Sequence, residues 1–156
     1  MKSLLVVCSY HHHNTEKIAR VFAKVLDAQF KLPMEVNPGE ISEYDLVGFG
    51  SGIYGGKNHQ NLLSFVDKIP EGNSGNAFIF STAAITGVTK INKDHSLLKE
   101  KLESKGYVIV DEFSCKGFNT NSFLKYFGGM NKGRPNAEDL KHAEEFAQNL
   151  KLKMTG

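Results

Sequence analysis

Apolar residues in this chain fall into two kinds of run that alternate along its length. The first kind is short and continuous. Leu4 to Cys8, Tyr44 to Phe49 and Ala77 to Ser81 read as strands buried on both faces, because apolar residues follow one another instead of alternating with polar ones. The second kind recurs at helical spacing. Ile18, Val21, Phe22 and Val25 predict a helix over residues 14–29, with Asn14 or Thr15 as its N-cap. Leu62, Leu63, Val66 and Ile69 predict one over 59–69, stopped by Pro70, and Leu98 and Leu102 one over 94–104, ended by Gly106. A last helix starts at Asn136, with Asp139 three residues on in the manner of a capping box, and turns Leu140, Ala143, Phe146, Ala147 and Leu150 inward.

Two weaker segments complete the pattern. Phe30 to Val36 is a strand interrupted by Pro33, which confines it to a sheet edge. Tyr107 to Phe113 alternates and reads as the fifth strand. Turns or loops are expected at 37–39, 50–58, 72–75 and 82–92. A long connection spans 117–134, with a short helical turn at 122–127. The reading is of five βα units in strict alternation, which implies a doubly wound α/β fold: a five-stranded parallel sheet with helices on both faces. With the proline-bearing second strand at an edge, the strand order is 2-1-3-4-5. That order brings the loops after strands 1 and 3 together at the switch point, where such folds bind ligands. The 156 residues are expected to form one domain, 1–156.

Composition narrows the function classes. The net charge of +2 and the scatter of the lysines argue against nucleic acid as a partner. Two cysteines, Cys8 and Cys115, without a Cys-x-x-Cys pair, fit neither a disulfide framework nor a zinc ribbon. They fit a reducing, cytoplasmic setting, with both thiols as packing residues. No apolar run reaches the ~18 residues of a membrane span, and the opening run is too short for a secretion signal.

The candidate chemistry lies in two loops. Ser9-Tyr10-His11-His12-His13-Asn14-Thr15 joins the first strand to the first helix. A helix start presents unpaired backbone N–H groups and the positive end of the helix dipole, and Ser9, Tyr10, Asn14 and Thr15 add side-chain donors. The stretch reads as a phosphate cradle, with the alternative of a polar loop that binds nothing. His11 to His13 suggest a metal, but three adjacent side chains rarely aim at one ion and no carboxylate or cysteine lies near in sequence, so no metal site is assigned. The second loop, Ser51-Gly52-Ile53-Tyr54-Gly55-Gly56-Lys57, overlaps a Gly-x-Gly-x-x-Gly match from Gly50 to Gly55. It follows the third strand instead of the first and has no acidic partner at the right offset, so a dinucleotide site is set aside. Its glycines instead allow close backbone approach to a flat ligand, with Ile53 and Tyr54 offering apolar and aromatic surface. No Ser/His/Asp or Cys/His set for acyl transfer is visible, and no catalytic residue is assigned.

On these residues the chain resembles the flavodoxin family over nearly its whole length. Tyr10 to Thr15 lies over that family's Thr/Ser-x-Thr-Gly-Asn-Thr phosphate loop, with Asn14-Thr15 matching and Glu16-Lys17-Ile18-Ala19 continuing it. Gly52 to Lys57 resembles the loop that meets the isoalloxazine ring, and Gly133-Arg134-Pro135-Asn136 with Asp139-Leu140 and Ala143 resembles the lead into the last helix. The resemblance implies FMN held without a covalent bond. Residues 9–15 would wrap its phosphate and 51–57 would meet the ring near N5. Thr82, Ala83, Ala84 and Gly87 would cover the other edge with Gly117 and Phe118. A carbonyl in Gly55-Gly56 would reorient on reduction to accept a hydrogen bond from flavin N5–H. The family glycine is His13 here, the two hydroxyls are His11 and His12, and with no tryptophan ring stacking falls to Tyr54 or Phe118. The expected role is an electron carrier between redox partner proteins, a reductase and an acceptor. The alternatives are a flavodoxin-like oxidoreductase acting on a quinone, a porphyrinogen or NAD(P)H, and a receiver-like module without flavin. Cys8-Ser9-Tyr10 lacks the acidic cluster of a receiver.

Overall fold

The computed structural model describes residues 1–9, 13–83, 87–117 and 133–155. Five strands lie parallel: β1 (Ser3–Cys8), β2 (Gln29–Lys31), β3 (Leu46–Tyr54), β5 (Asn76–Ala83) and β6 (Val108–Lys116), with a two-residue β4 (Lys57–Asn58) antiparallel to β3. The order is β2-β1-β3-β5-β6, which is the expected 2-1-3-4-5 once the short β4 is set apart. Helices α1 (Asn14–Leu26) and α4 (Ala137–Thr155) cover one face, and α2 (Gln60–Asp67) and α3 (Val88–Ser104) cover the other.

Strand alternation builds the two cores. Every residue of β1 is buried. Leu4, Val6 and Cys8 face Leu62, Val66, Leu98 and Leu102, while Leu5 and Val7 face Ile18, Phe22, Ala143 and Ala147. Phe22 anchors the second core, with its ring edge-on to Phe78 at 5.7 Å, Phe80 at 5.0 Å and Phe113 at 5.5 Å. Gly48 and Gly50 make room for this cluster. A Cβ at Gly48 would lie 2.4 Å from Phe78 Cζ, and one at Gly50 2.2 Å from Phe80 Cε2.

Several boundaries differ from expectation, each for a physical reason. Helix α1 ends at Leu26, not residue 29, because Asp27 turns left-handed (φ 51°) and its N–H donates back to Ala23 O. Strand β2 spans only Gln29–Lys31, not 30–36, since Pro33 has no N–H for the ladder and instead starts a short 3-10 turn. A second 3-10 turn (Pro38–Glu43) follows, so no α-helix joins β2 to β3 and the unit count of five fails there. Strand β3 runs on through the glycines to Tyr54 where a loop was expected from residue 50, and returns through Gly55 and Gly56 into β4. Helix α3 starts at Val88, not residue 94, and β6 continues to Lys116. The expected helical turn at 122–127 lies outside the described residues. The expected capping box is present: Asn136 N–H donates to Asp139 Oδ2 at 2.8 Å, and Asp139 N–H donates to Asn136 Oδ1 at 3.0 Å. Among the described residues no helix is long and apolar enough to cross a membrane.

The close approach at Gly50 carries a consequence. A Cβ there must push Phe80, and through it Phe22, out of place, so Gly50→Ala is expected to lower unfolding stability by about 1–3 kcal/mol. Urea denaturation measures it, and an unchanged midpoint contradicts the packing account.

Candidate functional site

Parallel register aligns the C-terminal parts of the strands, which is what brings the loops together. Cys8 pairs with Ser51, Ser51 with Ser81, and Ser81 with Ser114, in one row across four strands. In the next row Gly52 pairs with Thr82, and Thr82 with Cys115. Beyond these rows lie the two loops singled out from sequence.

The β1–α1 side is held by hydroxyls. The N-cap of α1 is His13, not Asn14 or Thr15. It sits in the left-handed region (φ 51°, ψ 38°), where glycine is unstrained and other residues carry a cost of roughly 1–2 kcal/mol. Its side chain makes no capping bond and instead places Nδ1 3.1 Å from Glu16 Oε2. Ser9 caps the helix from outside, its Oγ accepting the Glu16 N–H at 3.0 Å. Thr15 is buried, with Oγ1 2.8 Å from Thr82 Oγ1, which ties the start of α1 to the end of β5. Gly117 closes the cluster. Its N–H donates to Ala83 O at 3.0 Å, and a Cβ on it would fall 2.7 Å from Asn14 Nδ2. Ser9, His13, Asn14, Thr15, Thr82, Ala83 and Gly117 are therefore one neighbourhood. Gly87 stands apart as the residue before α3, with φ 140°. Tyr10, His11, His12, Ala84 and Phe118 lie outside the described residues.

The other loop is a tight hairpin. Tyr54 pairs with Lys57 across Gly55 (φ 60°) and Gly56 (φ 76°), the two positive angles that a two-residue type I′ turn requires. Nothing lies within 4 Å of a Cβ at either glycine, so the tip is open. Ser51 pins the base: its Oγ donates to Gly52 O at 2.7 Å and accepts from Asn58 Nδ2 at 3.0 Å and from the His59 N–H at 2.9 Å. The Tyr54 ring meets the edge of His59 at 5.1 Å and lies over Gly52. Ile53 and Tyr54 are half-buried, whereas Lys57 is exposed. Hairpin and helix start thus border one open end of the sheet, offering backbone donors on one side and an aromatic, glycine-tipped edge on the other.

Both thiols are buried: burial pushes the pKa of Cys8 and of Cys115 up to about 12, which disfavours the thiolate at neutral pH. Burial alone would raise the Asp139 carboxyl, but hydrogen bonds from Arg134 override it and hold it below its ordinary value. Sequence reasoning missed one constellation: Ser81 Oγ is 2.7 Å from His95 Nε2, and His95 Nδ1 is 3.1 Å from Glu112 Oε1. The available signal was His95 itself, three residues before Leu98 and seven before Leu102, on the buried stripe of α3. Among the described residues no three metal-ligating side chains come together.

Burial lowers the proton affinity of His95 despite the opposing pull of Glu112, and burial also lowers that of His59. The unfolded chain takes up these protons near pH 6.5 while the native state resists them. Stability is therefore fully present above about pH 6.5 and lost as pH falls below it. Urea midpoints measured from pH 8 to 5 are expected to fall across that window; a midpoint that holds or rises there contradicts the assignment.

A family model described as a flavodoxin domain matches residues 5–130. An uncharacterized protein of Methanocaldococcus jannaschii is 47% identical over 150 residues, covering 96% of this chain and 98% of its own length. Among solved structures, an archaeal flavodoxin superposes with a TM-score of 0.72 at 17% identity over 100% of both chains. Oxidised Flavodoxin 2 from Bacillus cereus does so with 0.71 at 18% identity, covering 98% of this chain and 99% of its own. The flavodiiron protein from Giardia intestinalis matches with a TM-score of 0.69 at 11% identity, over 99% of this chain but only 36% of its own. With a matching family model over most of its length, and with the sheet order and loop positions described above, this chain belongs to the flavodoxin family.

Proposed function

We propose that the chain binds FMN without a covalent bond at the open end of the sheet and carries electrons between redox partner proteins. The observation that supports this reading most is the start of α1, where Ser9, Thr15 and Thr82 hold a 13-residue helix's first turn beside β5 and Gly117 leaves room at Asn14. These residues fit a phosphate, because the amides of a first helical turn have no carbonyl partner four residues back and the helix dipole favours a dianion. In this reading Ser9 to Thr15 hold the phosphate, with Tyr10, His11 and His12 as further donors, and Ser51 to Lys57 meet the ring. Thr82 to Ala84, Gly87, Gly117 and Phe118 cover its far edge.

FMN when bound supplies one- and two-electron redox chemistry; the chain's own residues bind, orient and tune it. Tyr54 offers its ring beside the hairpin. Gly55 and Gly56 let the hairpin peptide turn over at low cost, since neither has a Cβ to oppose it and the space around the tip is open. No side chain is assigned a covalent role. The near-neutral charge of +2 gives a second reading some support, because a carrier that docks on basic partners is served by an acidic surface. In that reading the chain is an oxidoreductase on a quinone, a porphyrinogen or NAD(P)H. A carrier turns over none of these unless a reductase is added; an oxidoreductase does so alone.

Titration of the chain into FMN is expected to quench the flavin's fluorescence with a 1:1 end point. Gly55→Val forces a β-branched residue to φ 60° and is expected to weaken FMN binding about tenfold or to shift its midpoint potentials. No quenching overturns the FMN reading. A Gly55→Val chain with unchanged affinity and unchanged potentials overturns the role given to the hairpin.

A further inference from the structure

Beneath the hairpin, on the α2/α3 side of the sheet, runs a polar chain that the preceding reading does not use. It runs from Ser114 through Ser81 and His95 to Glu112. Ser81 is 1% and His95 0% exposed, so neither hydroxyl nor imidazole meets bulk water directly. Glu112 does: its side chain is 18% exposed, and it lines an open groove of about 510 Å³ with Asn92, Ser96, Lys99, Glu100 and Glu103. The chain therefore leads from a surface groove, through Glu112 and His95, to Ser81. Ser81 is the residue before Thr82 and the register partner of the Ser51 that pins the hairpin.

Two proton arrangements of this chain keep His95 bonded at both ring nitrogens. In the proton-rich form Ser81 Oγ donates to Ser114 Oγ at 3.2 Å. Ser81 must then accept from His95 Nε2–H, and the 3.1 Å contact between Nδ1 and Glu112 Oε1 needs a proton of its own. In the second form His95 is neutral with its proton on Nδ1, donating to Glu112, and the Ser81 hydroxyl turns from Ser114 to donate to His95 Nε2. The two forms differ by one proton and by the direction of the Ser81 hydroxyl, with no heavy atom displaced. The groups acting on His95 are Glu112 from β6 and the Ser81 hydroxyl from β5. On α3 itself stand Asp94, which is paired with Lys90 at 2.5 Å, and Lys99, which lies 3.7 Å from Glu112 Oε2. Strand β4, packed on α3, brings exposed Lys57 and buried, neutral Asn58.

We propose that His95, held by Glu112 and acting through Ser81, is a positioning residue that takes up one proton from solvent when the cofactor at the strand ends is reduced. The inference rests on the FMN reading above. Electrons delivered to a bound flavin add negative charge at the end of the sheet unless an equal number of protons follows. The charge balance is simple: the electron comes from a reductase partner and resides on the flavin. The proton comes from water at the Glu112 groove and resides on the His95–Glu112 pair. No covalent bond other than N–H or O–H forms or breaks. Added negative charge nearby favours the protonated form, so the chain moves to its proton-rich arrangement.

The test is made on FMN-loaded protein labelled with 15N-histidine, titrated from pH 5 to 9 before and after reduction with dithionite. The His95 titration midpoint is expected to move up by about half a unit to one unit on reduction. In parallel, the flavin's midpoint potential is expected to depend more steeply on pH in the wild type than in His95→Gln across that window. Glu112→Gln keeps the imidazole and removes its carboxylate, so it serves even where His95→Gln does not fold, and it is expected to flatten the same pH dependence. A His95 midpoint unchanged by reduction overturns the proposal, as do variants that shift the potential equally at every pH, which is what a merely structural histidine would do. The failures are distinguishable. A chain that does not retain FMN on gel filtration loses the cofactor reading and this inference together, whereas a loaded chain with an unmoved His95 loses only the inference.

Discussion

The first turn of α1 carries backbone N–H groups that the helix cannot use for itself, and much of the surrounding structure is arranged about that turn. β1 delivers the chain to it from the centre of the sheet, buried along its whole length. Ser9 takes the Glu16 amide, and the Thr15 hydroxyl meets Thr82 from β5. Phe22, two turns further on, locks the helix to the sheet through three edge-on ring contacts. In the proposed reading a helix start so fixed meets an anion with little ordering left to oppose binding.

Register does the rest. In a parallel sheet with its strands in register, the loops that follow the strands' C-terminal ends open onto the same end of the sheet. The row Cys8, Ser51, Ser81 and Ser114 therefore lies beside both the candidate site and the buried polar chain. On one face Thr82 turns to α1; on the other Ser81 turns to His95. Two adjacent residues of β5 thus connect the phosphate side and the proton side of one proposed site, because successive strand residues point to opposite faces.

Much of this was legible in the sequence, and the misses share a cause. The continuous apolar runs located β1, β3 and β5, and Pro33 placed β2 at an edge, so the sheet order followed from local signals. The capping box at Asn136 is a three-residue pattern and was readable as such. The hairpin was not, because glycines in a strand look like breakers when read alone. Gly48 and Gly50 belong to the strand since the rings of Phe78 and Phe80, some thirty residues on, occupy the space a Cβ would need. The cap of α1 was misplaced for a similar reason. Ser9 lies seven residues before the amide it accepts, and Thr15 spends its hydroxyl on a partner 67 residues away. His95 was overlooked because its meaning depends on Ser81 and Glu112, which come from two other strands.

The central claim is that the phosphate end of the ligand, gripped at the start of α1, supplies much of the affinity. The direct test compares FMN with riboflavin, which has the same ring and no phosphate, by fluorescence titration at one ionic strength. Two charge-assisted hydrogen bonds at the helix start amount to about 3 kcal/mol or more, so FMN is expected to bind at least ~100-fold more tightly. Equal affinity for the two flavins contradicts the account.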